Sequence, residues 1–215
     1  MRARPDAVEW IVVIAAKRLD AAKSRLAGPT GNHRAELAIG MLLDTVSAAR
    51  AALGVTAVLV VTDDERIGGA VSSIGARAVA DISGEGLNAA FHHGIAAATL
   101  QYPGVGVALL AGDLPALRPD ELESALQAAD DAEVVAVADH VGTGTTMLAA
   151  RTLASLHPAF GVDSFARHVA AGAVAVTGEL QGLRCDVDEA ADLRVAVEIG
   201  VGPATAALSD LVADS

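Results

Sequence analysis

Short apolar runs rich in β-branched residues alternate along this chain with longer stretches whose apolar residues recur every three or four positions. The first run, Trp10-Ile-Val-Val-Ile-Ala-Ala16, has the length of a buried strand. From His33 to Leu53, the residues Leu37, Met41, Leu42 and Val46 fall on one helical face, and the spacing predicts a long helix. Val55 to Val61 reads as the second strand. Its exit, Thr62-Asp63-Asp64-Glu65, offers short acids to the open amides of a helix start, so a helix is expected through Ile74, then a short strand at Ala76 to Ala80. The rhythm continues with a helix over Leu87 to Leu100 and a buried strand at Val105 to Ala111. A helix opened by Pro119-Asp-Glu-Leu and a fifth strand at Val134 to Ala138 complete it.

This alternation implies an α/β fold, a mostly parallel central sheet with helices on both faces and ligands gathered at the C-terminal ends of the strands. After residue 140 the pattern breaks into Gly-rich and polar pieces. Strand candidates at Thr145 to Ala150, Ala173 to Thr177 and Leu183 to Cys185 are expected to form an inserted ribbon and edge, its substrate-covering part at about 140–182. A final helix is predicted from Glu189 to Ile199. No compositional shift, repeat or low-complexity tract divides the chain, so 1–215 reads as one domain.

Composition sharpens this picture. Of 215 residues 53% are hydrophobic but only 2% aromatic, so Ala, Val, Leu and Ile must fill the core, a mixture suited to helices lying close on strands. Lys and Arg number 15 against 27 Asp and Glu, a net charge of -12 that excludes a general nucleic-acid surface. Small anionic substrates remain open, because the cations are concentrated: the chain's two lysines, Lys17 and Lys23, share nine residues with Arg18 and Arg25. Met1 to Glu9 carries mixed charges and the apolar run after it is too short for a signal peptide. No apolar run approaches the ~20 residues that span a bilayer. One cysteine, Cys185, excludes an internal disulfide and a Cys-based zinc site. A soluble, cytoplasmic protein without membrane partners is the expectation.

Three groups of residues carry candidate chemistry. Small Ala15 and Ala16 end the first strand and would let a nucleotide lie against the backbone, within reach of Lys17, Lys23 and Arg25 for its phosphates. An exposed basic helix turn is the plain alternative. Asp113 follows a buried strand in Ala-Gly-Asp-Leu-Pro, where Gly112 permits close backbone approach, and Asp186 and Asp188 share one face of an extended segment by their period of two. Such hard oxygen ligands suit Mg²⁺; a helix cap would explain Asp188 alone. Gly142-Thr-Gly-Thr145 and the segment His157 to His168 place glycine amides beside hydroxyls, a lining for a small phosphate or carboxylate, unless they are turn glycines and Ser164 caps a helix from Phe165 to Ala171. Gly84, Gly86 and Ala89 match a dinucleotide fingerprint, though after the third strand rather than the first, and Asn88 beside them is available to a ligand. A hydrolase triad from Ser164, His157 and His168 lacks a nucleophile elbow. Adjacent His92 and His93 point in different directions and read as surface or cap residues.

Taken in order, Ala-Ala-Lys-Arg-Leu, Gly-Asp-Leu-Pro-Ala-Leu, Gly-Thr-Gly-Thr, His-Pro-Ala-Phe-Gly-Val-Asp-Ser and Leu-Arg-Cys-Asp-Val-Asp resemble the phosphoenolpyruvate and 2-phospho-L-lactate guanylyltransferases of coenzyme F-420 biosynthesis, over about Val12 to Pro203. The resemblance implies a Rossmann-like, GT-A-type nucleotidyltransferase that binds GTP, with Mg²⁺ on Asp113, Asp186 and Asp188 and the acceptor's phosphate and carboxylate on Thr145, Gly161 and Ser164. The Ala-rich, Lys-poor composition is similar to the actinobacterial branch, for which phosphoenolpyruvate is the expected acceptor. The product would be unstable and handed to the next biosynthetic transferase. A change of acceptor to 2-phospho-L-lactate or 3-phosphoglycerate, a dinucleotide-dependent oxidoreductase and a nucleotide-binding regulator without turnover stand as the alternatives.

Overall fold

The computed structural model describes residues 9–16, 33–81 and 84–213, and contains all five strands of the predicted α/β rhythm. These are β1 (Trp10–Ala15), β2 (Val55–Thr62), β3 (Arg77–Ala80), β4 (Gly106–Leu110) and β5 (Val134–Ala138). With β6 (Thr145–Ala150) and β7 (Val174–Ala175) they form one sheet ordered β3-β2-β1-β4-β6-β5-β7. Every pairing is parallel except those of β6, which runs antiparallel to both β4 and β5.

The period-two pattern of the strands explains why both faces are covered. Trp10, Val12 and Ile14 enter one core with Val58, Val60, Ala108 and Leu110, while Ile11 and Val13 enter a second with Leu59, Val61, Val107 and Leu109. Helices α1 (Arg34–Ala51), α2 (Glu65–Ser73) and α4 (Pro119–Gln127) pack on the first face; α3 (Leu87–Gln101) packs on the second. Small residues set the spacing there. A Cβ on Gly94 of α3 would run into Val13, so the helix lies directly on β1. The acidic exit of β2 acts as predicted, Asp64 accepting from the amide of Arg66 at 2.9 Å to cap α2.

Beyond residue 140 the structure corrects four expectations. β6 is no covering ribbon: all six of its residues are buried, between β4 and β5. The candidate strand at Leu183 to Cys185 is instead the short helix α6 (Gln181–Arg184), and the strand at Ala173 to Thr177 shrinks to β7 at the sheet edge. Ser164 is the first residue of α5 (Ser164–Ala170), with Asp163, in the left-handed region at φ 54°, at the cap position. After α7 (Ala190–Ile199) comes a further helix, α8 (Pro203–Ala213), outside the predicted elements.

α8 is anchored by a distant side chain. The carboxylate of Asp44 on α1, 6% exposed, accepts from the amides of Ala204 at 3.0 Å and Thr205 at 2.7 Å. Asp44→Ala leaves those first-turn amides without their acceptor and is expected to cost about 1–3 kcal/mol, seen as a lower urea midpoint with an unchanged slope. An unshifted midpoint would mean that α8 is held by its apolar contacts alone.

Among the described residues no helix is long and apolar enough to cross a membrane.

Candidate active site

Strand order reverses at β1, with β2 and β3 to one side and β4 to the other, which places a crevice at the C-terminal ends of β1 and β4. A cleft of about 680 Å³ lies there, within the usual ~300–1,000 Å³ of small-molecule sites. Nine of the predicted residues line it: Ala15 and Ala16 beyond β1, Gly112 and Asp113 beyond β4, Thr145 opening β6, Gly161 and Ser164 before and on α5, and Asp186 and Asp188 between α6 and α7. Asn88 is not among them. Its carboxamide donates to the carbonyl of Phe160 at 3.1 Å and accepts from the Phe160 amide at 2.8 Å, so it fixes the loop that carries Gly161. Lys17, Lys23 and Arg25 lie outside the described residues.

The loop bearing Asp113 is set by packing and two specific hydrogen bonds. A Cβ on Gly112 would press within 3.0 Å of Ile14 and 3.2 Å of Leu42, so only glycine fits comfortably at this turn. Thr45, buried on α1, donates to the Met41 carbonyl at 2.8 Å and accepts from the Leu114 amide at 3.0 Å, tying the loop to the helix. The amide of Val187 donates to the carbonyl of Asp113 at 3.0 Å. That bond holds the second acidic segment beside the first.

Within that segment the period of two holds: Val187 is buried in the core while Asp186 and Asp188 face the cleft. Asp188 does not cap α7. Glu189 does, paired with Asp192 in a capping box. Burial pushes the Asp186 carboxyl up to about 7, and Asp113, Asp139 and Asp188 add to the rise. Among the described residues no three His, Cys, Asp or Glu side chains stand close enough to hold a metal ion by themselves. Carboxylates that repel one another in a half-buried cleft are nonetheless the donor chemistry of Mg²⁺, which takes one or two of them and completes its shell with phosphate and water.

The glycine amides of the Gly142 to Thr145 turn are not open to a ligand as expected. Gly142, at 2.5 Å, and Thr143, at 2.9 Å, donate to one oxygen of Asp139, and Gly144 donates to the other at 2.8 Å. The concavity that would bind an anion is filled by the protein's own carboxylate. Its effect is to deliver Thr145 to the cleft. There Ser164 Oγ donates to Thr145 Oγ1 at 3.1 Å, and Thr145 also meets Nδ1 of His168 at 2.9 Å. Gly161, at φ 124°, occupies a backbone region that favours glycine. Phe91 and Phe160, ring centroids 4.5 Å apart, add an apolar part of the lining.

Sequence reasoning missed Asp139 and treated His168 only as a poor triad member. Asp139 carried one usable signal: it comes directly after β5, as Asp113 comes a few residues after β4.

This sheet, with antiparallel β6 between β4 and β5 and acidic segments flanking the crevice, has the fold of GT-A-type nucleotidyltransferases. Solved structures of the same fold include a nucleotide-diphospho-sugar transferase, titled as putative, from Desulfovibrio desulfuricans (TM-score 0.73, 15% identity, 96% of this chain and 98% of that one). Another is a 4-diphosphocytidyl-2C-methyl-D-erythritol synthase (TM-score 0.63, 13% identity, 89% and 98%). The chain belongs to the family described as Guanylyl transferase CofC like, whose model matches residues 10–194. Relatives named phosphoenolpyruvate guanylyltransferase are 50% identical in Geodermatophilus obscurus, over 93% of both chains, and 48% identical in Nocardia farcinica, over 95% of this chain and 92% of that one. The oxidoreductase alternative therefore lapses; its glycine string comes after the edge strand β3, away from the first βα turn where a dinucleotide fingerprint acts.

Proposed function

We propose that this protein transfers GMP from GTP to phosphoenolpyruvate, releasing pyrophosphate and forming enolpyruvyl-diphospho-5'-guanosine for coenzyme F-420 biosynthesis. The observation that carries the reading is the meeting in one cleft of two complementary sets, the acids Asp113, Asp186 and Asp188 and the hydroxyls of Thr145 and Ser164 beside Gly161. A hydroxyl-and-amide lining suits the phosphate and carboxylate of a small acceptor. The acids suit the divalent cation that accompanies a nucleoside triphosphate.

The phosphate of phosphoenolpyruvate is anionic near neutrality, so no general base is needed. One of its oxygens bonds to the α-phosphorus of GTP, the bond from that phosphorus to the bridging oxygen of the β-phosphate breaks, and pyrophosphate leaves with the electron pair. What remains for the chain is to position both substrates and balance their charge. Ala15, Ala16 and Gly112 give the nucleotide room against the backbone, and Lys17, Lys23 and Arg25 balance the departing pyrophosphate. Thr145, Ser164 and Gly161 orient the acceptor. Mg²⁺ would be held by one or two of Asp113, Asp186 and Asp188 together with substrate phosphate and water, and would supply further neutralisation of phosphate charge. The same reading puts the enzyme in the cytoplasm, with its labile product passed on to the next biosynthetic transferase.

Pyrophosphate release with GTP, ATP and CTP against phosphoenolpyruvate, 2-phospho-L-lactate and 3-phosphoglycerate tests this. GTP with phosphoenolpyruvate should be fastest and should require Mg²⁺. Faster release with 2-phospho-L-lactate would reassign the acceptor, and no Mg²⁺-dependent release from any pair would overturn the transferase reading.

A further inference from the structure

His168 is 2% exposed and touches the hydroxyls of the cleft, yet no step above uses it. Its ring is fixed from two sides. Nε2 lies 3.0 Å from the amide of Ala159, and Phe160 packs edge-on against the ring at 5.2 Å. An amide nitrogen can only donate, so Nε2 is the unprotonated nitrogen, and a neutral imidazole then carries its one proton on Nδ1. Burial, with the Arg167 charge adding to it, lowers the His168 pKa to about 4, which keeps the ring neutral under ordinary conditions.

The tautomer decides which way the next hydroxyl faces. Nδ1–H donates to Thr145 Oγ1, and so does Ser164 Oγ. With both lone pairs of Thr145 engaged and no acceptor left on the ring, the Thr145 proton is available only to the cleft. The opposite tautomer would draw that proton onto Nδ1 and turn oxygen lone pairs toward an incoming anion. The Ala159 amide forbids it. The same amide belongs to the loop that carries Gly161, so one ring couples two of the three elements proposed to hold the acceptor.

We propose that His168 is a positioning residue for acceptor binding: its Nδ1–H, locked in place by the Ala159 amide on Nε2, holds the Thr145 hydroxyl as a donor toward the acceptor's anionic groups. The inference rests on the reading that Thr145 contacts the acceptor.

Pyrophosphate-release kinetics on His168→Phe, His168→Asn, Thr145→Val and the double variant His168→Phe/Thr145→Val separate the two. His168→Phe keeps a ring against Phe160 and removes both nitrogens. It should raise the acceptor KM roughly tenfold, the scale of one hydrogen bond to a charged group, with the GTP KM unmoved. His168→Asn, whose amide can reach the Nδ1 position, should recover most of that loss, and the double variant should be no worse than Thr145→Val alone. Additive losses in the double variant, or equal changes in both KM values, overturn the inference. If Thr145→Val raises the acceptor KM and His168→Phe does not, the inference alone fails. If Thr145→Val leaves it unchanged, the acceptor reading fails and takes the inference with it. Should His168→Phe not fold, His168→Asn is compared with His168→Gln, whose amide reaches the Nε2 position instead. Asparagine should keep the lower acceptor KM, and the reverse order overturns the proposal.

Discussion

Replacing Asp186 by asparagine should move activity and stability in opposite directions. Turnover is expected to fall ~100-fold or more, the usual scale for losing a preorganised electrostatic partner, and Asp113→Asn should lose a comparable amount. The metal-free Asp186→Asn protein should nevertheless melt above the wild type at pH 8. Proton linkage sets the sign. Burial and the acids Asp113, Asp139 and Asp188 raise the folded-state pKa of Asp186 to about 7, against 3.8 as its ordinary value. Native protein therefore binds more protons than unfolded chain between those values, and wild-type stability falls as pH rises through that window. Asparagine does not ionise and escapes the penalty, so the gap in melting temperature should be absent near pH 4 and complete above pH 7. Each 1 kcal/mol relieved corresponds to about 2–4 °C for a chain of this size. Adding Mg²⁺ should stabilise the wild type by about 2.7 kcal/mol at a hundredfold excess over Kd, seen as a higher melting temperature, and do little for the variant. A fully active Asp186→Asn enzyme would remove this carboxylate from the proposed Mg²⁺ site.

The first 140 residues were legible because their signals are local. Short apolar runs rich in β-branched residues in β1 and β2, short acids before α2 and Pro119 at the start of α4 each act within one or two turns of chain. Beyond residue 140 the elements depend on partners far away in sequence. Thr145 to Ala150 was legible as a strand candidate, but the insertion of β6 between β4 and β5 depends on chain direction and order, which the local sequence does not encode. α6 has four residues, too few to display a helical repeat. α8 takes its cap from Asp44, 160 residues earlier.

The candidate site divides in the same way. Asp113, Asp186 and Asp188 were found because each sits in a segment whose geometry a short string dictates, and all three reach one cleft. The turn at Gly142 to Gly144 was read correctly as an anion-binding concavity and assigned the wrong anion, since Asp139 and the turn close on each other. Asn88 was read as free for a ligand, and only the fold shows it bound in both directions to Phe160, 72 residues on. Local chemistry names the donors; the tertiary structure decides which are already engaged.

Gly182→Ala should be severely damaging, since a Cβ there makes the shortest contact of the glycines among the described residues. Glu121 on α4, 8% exposed, accepts from the amides of Gly182 at 2.9 Å and Leu183 at 3.1 Å, which docks the start of α6 on α4. A Cβ on Gly182 would collide with the Ala116 carbonyl oxygen and come within 2.7 Å of both the Ala116 carbonyl carbon and Glu121 Oε2. Backbone cannot rotate aside as a side chain can, so α6 must lift. Overpacking alone costs about 1–3 kcal/mol, and hydrogen bonds to a charged carboxylate add about 1.5–3 kcal/mol if they break. The sum of about 2.5–6 kcal/mol predicts a fall on the order of 10 °C or more in melting temperature. Gly69 on α2 is the control: nothing lies within 4 Å of a Cβ there, so Gly69→Ala should be neutral or stabilising by ~1 kcal/mol. The displaced helix also matters for chemistry, because α6 leads directly into Asp186, and Ala116 lies three residues after Asp113. Movement at this contact pushes both acidic loops at once, and their link, Val187 to the Asp113 carbonyl, should loosen. Turnover per folded molecule, measured well below the melting temperature, should therefore drop along with stability. Full activity per folded Gly182→Ala molecule would show that the seat of α6 stabilises the fold without aligning Asp186 and Asp188.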